Sequence, residues 1–148
     1  MGQFLGWLLG IPGTPEERET AYKNLVGDLD GIAAAERMRG GVQHNTEKAG
    51  ALLAAQGIFT VADTFALDHG WPQLPILVSL GFLIAGAFLA MSILRSTMRM
   101  YRHKIGHTDP VRLIYAMLLS RMIRFNTALY LTFLAVFLIL LAAISFAR

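Results

Sequence analysis

Three stretches of this chain, residues 49–67, 74–94 and 127–146, are apolar over the length needed to cross a bilayer, which limits its fold more than anything else. A hydrocarbon core about 30 Å thick is spanned by about 20 helical residues at ~1.5 Å rise each. No water reaches backbone groups at that depth, so such a stretch crosses as an α-helix with its N–H and C=O groups paired internally. The second and third stretches carry no charged residue, whereas the first contains Gln56 and Asp63. Composition agrees: 55% of the 148 residues are hydrophobic, and the mean hydropathy is +0.51. The expected fold class is all-α, an integral membrane protein with three transmembrane helices.

Charge placement sets the expected orientation. Of the 13 lysines and arginines, Arg95, Arg99, Arg102, Lys104, Arg112, Arg121 and Arg124 fall between the second and third spans. The turn between the first two spans has none, and only Arg148 follows the third. Basic residues concentrate on the cytoplasmic side of membrane proteins. The N-terminus and the 95–126 segment are therefore expected inside, and the 68–73 turn and the C-terminus outside. A division into an N-terminal region, 1–44, and a three-helix membrane domain, 45–148, follows.

The flanks read as amphipathic helices. The first ten residues are apolar but too short to span, and Phe4 and Trp7 suit an interfacial anchor. They lack the basic start and the small-residue cleavage site of a signal peptide. Thr14, Pro15 and Glu17 form a helix start with a capping box. Tyr22, Leu25, Val26, Leu29, Ile32 and Ala33 recur at helical spacing, so a helix over about 15–39 is expected to end at Gly40-Gly41. Thr108-Asp109-Pro110 starts a second, basic amphipathic helix over about 110–126, which runs without a breaker into the third span. The third span is bulky, with Ala142-Ala143 as its small pair, and reads as more lipid-facing than the hairpin of the first two.

Small residues mark expected helix contacts. Gly50, Ala54 and Gly57 recur on the first span, and Gly86 and Ala90 on the second. Such spacing lets backbones approach closely in lipid. Gln56, Thr60 and Asp63 fall at i, i+4 and i+7 and form an intramembrane polar stripe. The stripe reads either as interhelical hydrogen-bonding glue or as an ion or proton path with Asp63 as the titrating group. Asp63 lies only four residues from the outer end of its span, and no span holds a partner cation, which favours glue.

No phosphate-binding glycine loop, HExxH or nucleophile elbow occurs, and little chain lies outside the membrane, so no enzyme is expected. The four-residue spacing of His103 and His107 is broken by Gly106, and no cysteine is present, so neither a metal nor a cofactor is expected. The cytoplasmic basic cluster could hold an anionic ligand through Lys48, Arg95, Arg99, Arg102, Arg121 and Arg124. Topology and anionic lipid alone would also account for those charges.

Glu47-Lys48-Ala49, followed by Leu52-Leu53, resembles the acid-Lys-Ala-x-x-Leu-Leu start of the first membrane helix in small transmembrane effectors of bacterial Pycsar antiphage systems. The layout is similar too: a cytoplasmic helix, a tight hairpin, a basic segment and a last membrane helix. The resemblance implies an oligomeric protein of the bacterial inner membrane that responds to a cyclic pyrimidine mononucleotide. A structural or accessory subunit of a respiratory or photosynthetic complex is the alternative, and a small ion or proton channel is a third. The expected partners are the bilayer and either copies of this chain or a larger complex, and no nucleic acid.

Overall fold

The computed structural model describes Pro12 and residues 14–27, 29–95 and 110–147. Four helices account for nearly all of them: α1, Pro15–Val26; α2, Gly31–Asp68; α3, Gln73–Arg95; and α4, Pro110–Phe146. No strand occurs among the described residues. Helices α2, α3 and α4 are each long and apolar enough to cross a membrane.

The expected capping box at the start of α1 is formed. Thr14 Oγ1 accepts from the Glu17 N–H, and Glu17 Oε2 accepts from the Thr14 N–H, both at 3.1 Å. The helix stops at Gly27, whose φ of 53° suits a residue without a Cβ. Asp30 then caps α2, its Oδ1 accepting from the Ala33 N–H at 2.7 Å. The single helix expected over 15–39 is instead divided, into α1, which ends at Val26, and the first turns of α2, which begins at Gly31.

Gly40-Gly41 does not end a helix, and this corrects the expected turn. Both residues lie inside α2, which continues unbroken to Asp68. A Cβ at Gly41 would sit 3.2 Å from Leu118 Cδ1, so this glycine marks where α2 and α4 approach closely. Tertiary contact has overridden the weak helix propensity of the pair. The absence of a breaker before the third span is observed: α4 is one helix of 37 residues.

Each membrane helix buries one seam at alternating spacings of three and four residues, or their seven-residue sum. On α3 the seam is Ile76, Ser79, Leu83, Gly86, Ala90 and Ile93. On α2 it includes Ala49, Leu52, Gln56, Asp63 and Ala66, and on α4 Ala128, Thr132, Ala135 and Ala142. This repeat keeps one face turned to a neighbour, as in left-handed helix packing. Helix α4 packs against both α2 and α3. The third span is therefore a full member of the bundle, held by a small-residue face hidden among its bulky outward residues. Gly86 sits at the closest approach, where a Cβ would lie 2.5 Å from Gln56 Nε2 and 3.4 Å from the Ala128 carbonyl oxygen.

At one end, the α2–α3 turn folds back on itself. Gly70 has a φ of 77°, and the Trp71 N–H donates to the Ala66 carbonyl at 3.1 Å. The Trp71 ring stacks on Phe146 with centroids 5.5 Å apart, which ties the end of α4 to the turn. At the other end, α2 and α4 project beyond the apolar windows and form a collar on which α1 docks. Its core is Ala34, Met38 and Val111, covered by Tyr22, Leu25 and Tyr115.

Two substitutions separate these roles. Gly40 has no atom within 4 Å of an added Cβ, so Gly40→Ala should stabilise the protein by about 0.5–1 kcal/mol through helix propensity. Gly86→Ala should cost about 1–3 kcal/mol, because Gln56 must move. Thermal melting by circular dichroism in detergent reads both, and the shifts should have opposite signs.

Candidate functional site

The polar side chains of the bundle do not converge on one pocket. They form a ladder of interhelical ties. Arg121 Nη1 donates to Thr46 Oγ1 at 2.9 Å and to the Val42 carbonyl at 3.4 Å, joining α4 to α2. Arg124 Nη1 reaches Ser92 Oγ at 3.4 Å and the Ser92 carbonyl at 3.5 Å, joining α4 to α3. Deeper, Gln56 Nε2 donates to Thr132 Oγ1 at 2.8 Å. Nearest the turn, Ser79 Oγ lies 2.7 Å from Asp63 Oδ2 and 3.2 Å from the Ala135 carbonyl oxygen. Its single hydroxyl proton serves one of these acceptors at a time.

Burial shows why these ties matter. Gln56 is 1% exposed and Asp63 fully enclosed. A polar group in hydrocarbon is costly unless it finds a partner, so both side chains turn into the protein. Thr132 also returns its own hydroxyl proton to the Ala128 carbonyl at 2.9 Å, within α4. Gln56 Oε1 and Asp63 Oδ1 are buried and have no hydrogen-bond partner among the described residues.

The expected stripe of Gln56, Thr60 and Asp63 is divided. Gln56 and Asp63 reach across to other helices, whereas Thr60 Oγ1 donates to the Gln56 carbonyl of its own helix at 2.8 Å. The small residues divide as well. Gly86 and Ala90 are buried in the seam, but Gly50, Ala54 and Gly57 face outward. Added Cβ atoms at Gly50 and Gly57 would meet nothing within 4 Å. Within one chain the hairpin closes through Ala49, Leu52 and Gln56 instead. That face was the harder one to recognise, because Leu52 and Gln56 are not small.

The structure does not gather the expected anion-binding residues. Lys48 and Arg95 are exposed, Arg121 is 4% exposed and engaged with α2, and Arg124 is half-buried against α3. Arg99 and Arg102 lie outside the described residues, as do Lys104, His103, His107 and the Phe4/Trp7 anchor. No cluster of three metal-ligating side chains occurs among the described residues.

The helix α1 finds its partner inside the chain. Arg112 Nη2 pairs with Glu19 Oε1 at 3.2 Å, and its guanidinium stands 5.3 Å from the Tyr22 ring centroid. The Tyr115 hydroxyl donates to the Arg18 carbonyl at 3.1 Å, and its ring meets Tyr22 edge-on. The first contact is exposed and worth little alone; the aromatic and apolar contacts hold α1 in place.

This architecture defines a multi-pass helical membrane protein. No protein-family model, curated protein or solved structure matches the chain.

The Gln56–Thr132 tie is measurable. A double-mutant cycle of Gln56→Leu and Thr132→Val should give a coupling of about 1 kcal/mol in detergent unfolding. Additive effects would mean that the two side chains do not sustain the bond.

Proposed function

We propose that this protein is a non-enzymatic effector of the bacterial inner membrane that responds to a cyclic mononucleotide at the collar end of its bundle. The observation that supports the reading is the continuity of α2 and α4. At 38 and 37 residues each is about 56 Å long, roughly twice the hydrocarbon thickness. Collar and membrane span therefore belong to the same rigid rods, and a ligand that shifts one shifts the other. Lys48 and Arg95 are exposed and available as phosphate contacts. The outward face of Gly50, Ala54 and Gly57 supplies a surface on which copies of the chain associate within the bilayer.

Calorimetry of the purified protein with 3′,5′-cyclic cytidine and uridine monophosphates tests the reading. Binding at micromolar concentrations, weakened about tenfold by Lys48→Gln, is expected. Absence of binding removes the ligand and with it the effector role.

The same outward face supports a second reading, an accessory subunit of a larger membrane complex. Native electrophoresis in mild detergent separates the two, since a homo-oligomeric band favours the effector and comigration with a large assembly favours the subunit. A channel centred on Asp63 draws less support, because that carboxyl is enclosed by its own chain and bonded to Ser79.

A further inference from the structure

The helix α1 differs from the other three in having no buried residue. Both of its ends are closed from within. The Thr14–Glu17 capping box seals the first turn, and the Gly27 N–H donates to the Lys23 carbonyl at 2.7 Å. A helix of 12 residues is nevertheless marginal in water by itself. Its order therefore comes from the surface on which it lies.

That surface is small and bridges the two long rods. Tyr22, Leu25 and Val26 cover a floor made by Ala34 and Met38 of α2 and Val111 of α4. The charged tie is peripheral: Arg112 and Glu19 keep 58% and 44% of their side-chain surface exposed, so water screens the pair. The floor also stands clear of lipid. Met38 lies 11 residues before the apolar window that begins at residue 49, a rise of about 16 Å. The headgroup layer accounts for only about 5–8 Å of that. Water is at hand to take up any backbone group that α1 releases.

We propose that α1 is a strap that leaves the collar as one unit, uncovering the floor that joins α2 to α4 while the membrane bundle stays closed. The pivot is Gly27, whose φ of 53° and ψ of −133° suit a residue without a Cβ. Undocking and loss of the helix are one event, since the helix is held by the apolar face it presents. Opening is local because few apolar contacts are at stake. The interhelical ties Gln56–Thr132 and Ser79–Asp63 lie on other elements and are not broken. The strap rests on the collar contacts alone and not on the ligand proposed above, so a silent nucleotide titration leaves it standing.

Hydrogen exchange of the full chain in detergent, read peptide by peptide by mass spectrometry, tests the strap. Amides of residues 19–26 should exchange together and at least about tenfold faster than those of 34–46 and 112–124. Tyr22→Ala should bring 19–26 to the rate of an unfolded peptide and leave 49–66 and 127–146 unchanged. Gly27→Ala removes no contact, since an added Cβ meets nothing within 4 Å, but it strains the pivot and should speed the same amides. The chain has no cysteine, so Glu19→Cys with Arg112→Cys, joined by a bismaleimide, isolates the docked state. Exchange over 19–26 should then slow to the rate of the collar. Equal rates in α1 and the collar segments of the unaltered protein would overturn the strap, as would Tyr22→Ala speeding exchange equally through the spans. Fast exchange that persists after crosslinking would also overturn it, because α1 would then be fraying in place and not undocking.

Discussion

The bundle depends on one constraint: a polar side chain within hydrocarbon must be met by protein. Gln56 and Asp63 are its most demanding cases, and each is answered at one polar atom from another helix, by Thr132 and Ser79. Those bonds require the backbones to come close. The surrounding seam is accordingly built from Ala49, Gly86, Ala90, Ala128 and Ala135, residues with little or no side chain. Nothing apolar would enforce this arrangement by itself, because lipid tails are as good a solvent for leucine as another helix is. Hydrogen bonds set the register, and close packing of small residues makes it tight. Leu52, Ile76, Leu83 and Ile93 fill the wider parts of the seam, and the largest side chains, among them Phe65, Phe88, Phe133 and Phe137, face outward.

Outside the hydrocarbon the balance reverses. Water is present, apolar burial regains its force, and the collar is held by Met38, Val111 and the aromatic pair Tyr22 and Tyr115. The two regimes meet at Arg121 and Arg124, whose guanidiniums turn toward α2 and α3. They act as the rung between a core ordered by hydrogen bonds and a collar ordered by apolar contact.

Much of this was readable from the residues. The three spans, the capping box at Thr14 and the unbroken run from Pro110 into the last span each rest on local chemistry: apolar length, a hydroxyl three residues before a glutamate, the absence of a breaker. What could not be read was set by contacts between distant segments. Gly40-Gly41 has the composition of a turn, yet Leu118 on α4 lies against it and the helix continues. The face of α4 was legible in principle, since Ala128, Thr132, Ala135 and Ala142 keep the four, three and seven spacing of a packed seam. Larger neighbours obscured it. Gly50, Ala54 and Gly57 are more conspicuous but lie on the neighbouring face, and a single helix gives no means of choosing between the two. The inward turn of Arg121 was likewise invisible, because charge counts report only which side of the membrane a residue favours.

The length of α2 and α4 has a consequence for the chain's tolerance of change. Each residue added to a helix turns everything beyond it by about 100°. A one-residue insertion between Thr46 and Ala49 would therefore leave the collar intact and the bundle intact but out of phase with each other. Thr46 would no longer face Arg121 while Gln56 faced Thr132. The shortest insertion that brings both faces back to within about 20° is seven residues, matched in α4. These two rods hold no loop that could absorb a length change. Collar and membrane core are bound to a common angular register, and must vary together or not at all.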